Sequence, residues 1–112
     1  MRAKLKLKGK QVLIEDIKKV SFVGKYIGLM FKPKETQALL FEFRKGRKAI
    51  HSFFCRPFIA VWLLDNKIVD FRLVKPNLSY IIPNEDFDKL VEIPFNNKYR
   101  HVVDMFIDDG KI

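Results

Sequence analysis

The stretch from Ile50 to Asp65, IHSFFCRPFIAVWLLD, is the longest apolar segment of the chain. Its second part, Ile59 to Leu64, is apolar throughout and has the length of a strand. It predicts a strand that is buried on both faces or covered by another layer. Arg56-Pro57 separates this strand from the preceding residues, because proline lacks an N–H group and does not fit a central strand.

Strands are also predicted on either side of this core strand. Ala49 to Cys55 is rich in aromatic residues and predicts a strand with His51 and Cys55 on the same face. Asp65-Asn66 is typical of a turn, since both side chains can bond to nearby backbone and tolerate left-handed geometry. Lys67 to Val74 predicts the strand that returns from this turn.

The rest of the chain adds short strands and one helix. Further strands are predicted at Lys4–Lys8, Gln11–Glu15, Gln37–Phe43, Leu78–Ile82 and Lys89–Ile93. Tight turns such as Gly9-Lys10 join them, without the long crossovers that parallel strands need, so antiparallel pairing is favoured. Apolar residues spaced by three or four predict a helix near residues 17–28. Asn97 to Phe106 fits either a short C-terminal helix or a strand.

These elements predict an α+β fold that is predominantly antiparallel β, with one domain spanning residues 1–112. The sheet is expected to curl into a small barrel or sandwich that packs against the helix. Apolar residues make up 48% of the chain, with 11 Phe, which is typical of a globular protein with an aromatic core. We expect a cytoplasmic monomer without membrane contact, since no apolar run reaches the ~18 residues of a spanning helix and a lone Cys forms no internal disulfide.

Positive charge is concentrated in the first half of the chain. Residues 1–56 contain 15 Lys or Arg and 4 Asp or Glu, whereas residues 57–112 contain 7 and 9. Such a half could attract nucleic acid through Arg44, Lys45, Arg47 and Lys48, with nearby phenylalanines as stacking platforms. Lysine-rich surfaces also serve solubility and keep edge strands from pairing, and we favour that interpretation.

The first functional hypothesis is a non-enzymatic domain that binds an unidentified small molecule or protein partner in a cleft. The candidate ligand-binding residues are His51, Arg56, Trp62, Asp65 and Glu92. Nucleic-acid binding is the alternative, and a hydrolase-like enzyme centred on His51, Asp65 and Glu92 is a weaker one. No cofactor or metal site is predicted, because two His and one Cys fit no zinc-ligand spacing.

Two of these residues have ordinary structural explanations. Cys55 lies in an apolar run, where a lone Cys is usually a small buried hydrophobe, so a catalytic thiolate is not favoured. Glu92 lies within an apolar strand, and a partly buried carboxylate there could pair with Arg56 or Arg72. A structural ion pair is favoured over a catalytic role for this residue.

Several short segments resemble domain-of-unknown-function family 192, also called uncharacterised protein family 0127, in its archaeal-type form. The segments are Gly28-Leu29-Met30-Phe31, Leu39-Leu40-Phe41, Ile50-His51-Ser52-Phe53-Phe54, Leu63-Leu64-Asp65, Ile68-Val69, Lys75-Pro76 and Val91-Glu92-Ile93-Pro94. Their order and spacing carry the resemblance, which runs from about residue 20 to the end. It implies a compact, mostly β domain and implies no particular activity.

The chain departs from that family at several positions. Ala60 stands where members often have Asp, Pro57 comes one position early, and Cys55 stands where Met is common. Phe95-Asn96 replaces an Ala-Gly pair, and the segment near the end reads Asp108-Asp109-Gly110. A site that relied on the frequent Asp would therefore be missing or altered here.

Overall fold

The computed structural model describes residues 1–20, 28–29 and 32–110. The strands are β1 (Ala3–Leu7), β2 (Lys10–Ile14), β3 (Ile17–Lys19), β4 (Ala38–Gly46), β5 (Phe58–Leu64), β6 (Lys67–Val74) and β7 (Phe87–Pro94). A 3₁₀ turn at Asn97–Tyr99 leads into helix α1 (Arg100–Gly110). The fold is α+β and mostly antiparallel, as predicted.

Five strands form the main sheet in the order β3-β4-β7-β5-β6, and β1 and β2 form a separate hairpin. All pairs are antiparallel except β3 with β4. The strands β3 and β6 remain as edges, so the described residues form an open sheet and not the closed barrel that was one of the predicted forms. The predicted core strand is an interior strand: β5 lies between β7 and β6, and it is buried from Phe58 to Leu63.

A separate layer of apolar side chains covers each face of the main sheet. On one face, the β1–β2 hairpin and α1 pack against the sheet, with Phe106, Val102 and Ile14 fully buried between them. On the other face, Trp62, Phe58 and Phe41 are covered by loop residues such as Cys55 and Ile81. This burial on both sides explains why β5 has no polar residue, and it places the loops of residues 47–57 and 75–86 over the second face.

The hydroxyl of Tyr99 connects three segments on the hairpin side of the sheet. It accepts a hydrogen bond from Ala38 N at 2.8 Å and donates one to Asp16 O at 2.7 Å. Asp16 also accepts hydrogen bonds from Gln37 Nε2 and Lys98 Nζ. These bonds hold the start of β3 beside the start of β4, which explains how two short segments form a parallel pair.

The helix predicted near residues 17–28 and the turn predicted at Gly9-Lys10 differ in the structure. The helix predicted near residues 17–28 begins instead with strand β3, because Ile17 is buried in the core and pairs with Ala38 of β4. Residues 21–27 lie outside the described residues, so the rest of that prediction stays untested. The turn predicted at Gly9-Lys10 lies one residue earlier, with Lys8 and Gly9 at φ 49° and 85°, and Lys10 already starts β2.

The aromatic stretch before β5 is a compact loop and not the predicted strand. Ile50 makes one antiparallel bridge to Ile81. The strand predicted at Leu78–Ile82 is reduced to this single bridge. The φ of Phe54 is 58°, a left-handed conformation that ends extended structure. His51 and Cys55 therefore do not share a strand face. The stretch at Asn97–Phe106, which fitted a helix or a strand, is helical.

No helix among the described residues has the length and apolarity to cross a bilayer.

Candidate functional site

A cavity of about 550 Å³ lies on the second face of the main sheet. Strands β4 and β7 form its floor, and the loop that follows β4 forms its wall. The lining residues are Gly28, Leu29, Phe41, Phe43, Arg44, Lys48, Ala49, Ile50, His51, Cys55, Phe87, Leu90 and Glu92. This volume lies within the range of small-molecule sites, roughly 300–1,000 Å³.

Strand alternation makes the floor apolar and aromatic. Phe41 and Phe43 are two residues apart on β4, so they project from the same face, and their rings are 6.3 Å apart and nearly parallel. Leu90 lies directly opposite Phe41 on β7. The ring of Phe87 meets that of Phe43 edge to face at 5.5 Å. The floor is therefore apolar and aromatic, with Phe41, Leu90 and Phe87 almost fully buried and Phe43 half-buried.

Glu92 is the one acidic residue among the described residues of this lining. It lies opposite Leu39 on β4 and Ala60 on β5, so it projects from the same sheet face as Leu90. Only 5% of the residue is exposed, and this burial raises the pKa of its carboxyl group to about 8, although a hydrogen bond from the backbone of Leu29 lowers it in part. Oε1 of Glu92 has no hydrogen-bond partner among the described residues. The carboxyl group is therefore mostly neutral at pH 7, and one of its oxygens has no partner in the part of the chain that the structure describes.

Gly28 approaches this carboxyl group closely. A Cβ atom at position 28 would lie 3.1 Å from Oε1 of Glu92 and 3.6 Å from the ring of Phe41. The φ of Gly28 is 53°, in the left-handed region that favours glycine. Glycine at this position thus lets the backbone that carries Leu29 approach Glu92.

The loop wall is held by Ser52, which is fully buried. Its Oγ donates a hydrogen bond to Lys75 O at 2.5 Å and accepts one from Leu78 N at 2.9 Å. Its carbonyl oxygen accepts from Asn77 N at 2.8 Å and from Cys55 N at 3.1 Å. Ser52 thereby joins the loop after β4 to the loop after β6 and fixes the neighbouring wall residues.

His51 and Cys55 line the cavity on the side of this wall. Nδ1 of His51 accepts a hydrogen bond from Phe53 N at 3.2 Å, so the proton of the neutral ring is on Nε2. Burial, and secondarily the charge of Glu92, raise the pKa of the Cys55 thiol to about 11. A nucleophilic cysteine needs the opposite shift.

Cations lie at the opposite end of the cavity from Glu92. Arg44 and Lys48 are exposed at the rim, and Nζ of Lys48 lies 4.9 Å from the ring centre of Phe43. Arg44 is five residues beyond Leu39, the β4 residue opposite Glu92, and it lies where the pairing of β4 with β7 shifts register between Glu42 and Gly46. The cavity therefore has a cationic rim, an aromatic middle and an acidic end.

The structure brings only two of the five predicted ligand-binding residues to this cavity, His51 and Glu92. Trp62 is fully buried below it, opposite Leu90, with the guanidinium of Arg72 at 5.5 Å from its ring. Asp65 lies in the β5–β6 turn with φ 52°. Arg56 lies at a separate recess of about 10 Å³.

The predicted nucleic-acid residues are likewise divided. Arg44 and Lys48 line the cavity rim, while Lys45 is exposed outside the lining. Arg47 donates two hydrogen bonds to Pro83 O, at 3.1 and 3.0 Å, and so holds the loop after β4 to the segment before β7. The ion pair expected between Glu92 and Arg56 or Arg72 is absent among the described residues. Arg72 pairs with Asp70 instead.

The sequence interpretation did not assign Gly28, Leu29, Phe87 or Leu90 to a site. Leu90 and Glu92 are two residues apart on β7, so the sequence predicts that they share a face of the strand. The residues opposite them depend on the strand order of the sheet. The described residues contain no group of three or more His, Cys, Asp or Glu side chains placed to hold a metal ion.

Comparison with protein-family models and with curated proteins gives no match. Two solved structures resemble the fold. A protein from Sinorhizobium meliloti 1021, named a "putative transcription regulator", has 14% identity and a TM-score of 0.71, over 91% of this chain and 83% of that one. A protein of unknown function from Novosphingobium aromaticivorans DSM 12444 has 10% identity and a TM-score of 0.68, over 91% of this chain and 77% of that one. These likenesses concern the fold alone, and the resemblance to family 192 stays a prediction.

Proposed function

We propose that this protein is a non-enzymatic binding domain that holds a small organic molecule in the cavity between Phe41, Leu90 and Glu92. The observation that carries the proposal is the Glu92 carboxyl group, whose Oε1 has no partner among the described residues, in a mainly apolar cavity of about 550 Å³. A buried polar atom without a partner is rare in folded proteins, and a ligand with a matching polar group would satisfy it.

The lining chemistry supports binding over catalysis. The Cys55 thiol has a raised pKa, and Nδ1 of His51 already accepts a backbone N–H. Asp65, the third residue of the enzyme hypothesis, lies in the β5–β6 turn and is not part of the lining. The three residues of that hypothesis therefore lack the shared geometry that acid–base work requires.

A fluorescent amphipathic dye tests the proposal directly. We expect 1-anilinonaphthalene-8-sulfonate to bind the native protein with one-to-one stoichiometry. Ala49→Trp places a large ring at the exposed rim, where it occupies part of the cavity. It should weaken dye binding on the order of 10-fold or more, which corresponds to the binding free energy of a few contacts of a small ligand. Gln11→Trp, on the exposed face of the β1–β2 hairpin, is the matched control and should bind as the native protein does. Equal binding by both variants, or none by the native protein, would refute the proposal.

Nucleic-acid binding is the second candidate, and exposed rings near basic residues favour it. Phe54 is 63% exposed and Tyr80 is 68% exposed on the two loops that Ser52 joins. Such rings can stack on bases when cations lie nearby. Fluorescence anisotropy with single-stranded and duplex oligonucleotides at about 50 and 200 mM salt tests it, since several phosphate contacts would lower affinity by ~10³-fold across that range. Absence of binding at the lower salt would exclude this candidate.

A further inference from the structure

The two loops that Ser52 joins carry most of the exposed large apolar side chains of the described residues. Six such side chains are exposed among these residues, and four of the six lie on the loop after β4 or the loop after β6. Single exposed apolar residues are ordinary, whereas a contiguous group marks an interaction surface. We call this group the loop tip; its members are Phe53, Phe54, Leu78 and Tyr80.

Hydrogen bonds hold the two loops side by side, so that the tip residues form one surface. Leu78 N donates to Oγ of Ser52, and Ser52 N donates to Leu78 O, both at 2.9 Å. Phe54 N donates to Oδ1 of Asn77 at 3.0 Å. Tyr80 follows two residues after Leu78 on the same loop. The backbone that presents the tip is therefore fixed by bonds between the loops.

Phe54 is held in its exposed position at a conformational cost. Its φ is 58°, in the left-handed region, which is an outlier for a bulky residue. Phe54 makes a further interaction within the chain, and 63% of the residue stays exposed beside it. Backbone strain of this kind is concentrated where a protein meets a ligand or partner. The conformation of Phe54 thus supports a binding role for the tip.

The loops around the tip carry positive charge and no negative charge. Residues 47–57 and 75–84 contain four Lys or Arg and no Asp or Glu. Arg56 and Lys75 are exposed and lie within three residues of the tip in sequence. A second copy of this chain would bring like charges together, which opposes self-association through this surface. A partner that matches the tip is therefore both apolar and anionic.

A bilayer with anionic headgroups matches the tip better than a peptide or a nucleic acid does. The tip residues line neither of the two cavities described, so they offer no groove of the kind that holds a peptide. Leu78 cannot stack on a base, and the ring of Phe53 already lies 5.3 Å from that of His51. A bilayer accepts aliphatic and aromatic side chains alike, and tyrosine is enriched at its interface.

We propose that the loop tip is a docking surface for an anionic lipid bilayer. Phe54 and Leu78 enter the boundary between headgroups and acyl chains, Tyr80 lies at the level of the headgroups, and Arg56 and Lys75 meet the anionic groups. The sequence prediction of no membrane contact considered spanning segments only, and a tip of two loops needs none. The cavity takes no part in this contact, so its failure would leave the proposed function intact.

Vesicle sedimentation with the full chain tests the proposal. The native protein should bind vesicles of phosphatidylcholine that contain about 30% phosphatidylserine at about 50 mM salt. It should bind vesicles of phosphatidylcholine alone on the order of 10-fold more weakly, because the two cations of the tip then have no anionic headgroups to meet. Absence of binding to the anionic vesicles would overturn the proposal.

Variants of the apolar residues test which part of the surface makes the contact. Phe54→Gly/Leu78→Ala should weaken binding to the anionic vesicles on the order of 10-fold, since it removes the side chains that leave water. Glycine also accepts the left-handed φ, and urea unfolding checks that the variant is folded. Ile107→Ala is the matched control, because Ile107 is 37% exposed on α1 and Leu78 is 41% exposed. Native binding by the double variant would contradict the assignment of the tip.

Variants of the cations separate the tip from general attraction by a basic protein. Arg56→Ala/Lys75→Ala should weaken binding to the anionic vesicles on the order of 10-fold and leave binding to the neutral vesicles unchanged. Lys4→Ala/Lys6→Ala removes the same charge from the β1–β2 hairpin, on the other face of the sheet, and should cost less than about 3-fold. Equal losses in the two variants would mean that net charge alone attracts the chain, which would overturn the site.

Tryptophan fluorescence distinguishes insertion from adsorption. The emission of Phe54→Trp should shift to shorter wavelength on the anionic vesicles, whereas that of Ile107→Trp should not, and the native Trp62 is fully buried in both. An unshifted emission in Phe54→Trp would show that the tip stays in water and would refute insertion. If a single-stranded oligonucleotide binds with the same dependence on Phe54 and Leu78 while vesicles do not bind, the surface belongs to nucleic acid and the lipid proposal is wrong.

Discussion

A Cβ atom on Gly28 would lie 3.1 Å from Oε1 of Glu92, closer than such atoms normally approach an oxygen. The φ of Gly28 is also positive, at 53°, so the position requires glycine for two separate reasons. Its backbone brings the N–H of Leu29 to the carboxyl group, where it forms a hydrogen bond, while Oε1 is buried without a partner among the described residues. The acidic end of the site thus depends on a residue without a side chain.

Gly28→Ala should destabilise the protein more than Gly9→Ala does. Both glycines have positive φ, which costs a substituted residue about 1 kcal/mol, but a Cβ at Gly9 would meet nothing within 4 Å. The additional loss at position 28 comes from displacement of Glu92. Urea unfolding of both variants measures the difference, and equal losses would contradict the close contact.

The stability of the native protein should fall as the pH rises from about 5 to about 8. Burial raises the pKa of Glu92 from 4.5 to about 8, so the folded state holds a proton that the unfolded state releases in this window. The stabilisation is therefore complete below pH 4.5 and is lost as the pH approaches 8, with a slope of at most about 1.4 kcal/mol per pH unit. Glu92→Gln should remove this slope, whereas Glu85→Gln, in an exposed turn, should keep it. Urea unfolding at pH 5, 6.5 and 8 measures the slope, and an unchanged slope in Glu92→Gln would show that another group titrates.

Ser52→Ala should cost about 1–3 kcal/mol of stability and make Cys55 more reactive. The substitution leaves the Lys75 carbonyl and the Leu78 N–H without their partner in a partly buried environment, and it loosens the loop that carries Cys55. The rate of thiol modification by a disulfide reagent at pH 8 reports the loop, and urea unfolding reports the stability. Ser79→Ala, on an exposed position, is the control; a native rate in Ser52→Ala would mean that other contacts hold the wall.

Tyr99→Phe should destabilise the protein by about 1–3 kcal/mol without affecting the cavity. Removal of the hydroxyl leaves Ala38 N and Asp16 O unpaired in a partly dry environment on the opposite side of the sheet. Thermal unfolding should show the loss, and dye binding below the transition should match that of the native protein. Tyr80→Phe, whose ring is exposed, should change neither, and reduced dye affinity in Tyr99→Phe would indicate that the two faces are coupled.

Local sequence patterns predicted most of the strands. The apolar run of β5, the alternation of β1 and the Asp65-Asn66 turn each depend on neighbours in sequence, and the structure confirms all three. Patterns failed where local and distant interactions compete. Ile17 follows a helical spacing, yet it lies in β3 and pairs with Ala38 of β4. The parallel pairing and the buried position of Ile17 outweigh its helical preference.

The aromatic loop shows the same competition. Ile50 to Cys55 has the composition of a strand, but the hydrogen-bonding groups of Ser52 are taken by the loop after β6 and not by a neighbouring strand. Exposure of Phe54 and burial of Cys55 follow from that loop path. The expected face pattern of this segment was wrong for this reason.

The sequence by itself determined an α+β domain, a strand buried on both faces, and a chain whose positive charge lies mainly in its first half. Only the tertiary structure decided which of the candidate residues meet. Strand order places β7 between β4 and β5, so Glu92 lies beside Leu39 and near Gly28, while Trp62 is covered and Asp65 is carried to the β5–β6 turn. Strand order depends on contacts between residues far apart in the chain, and a periodic pattern in one segment contains no information about its neighbours in the sheet.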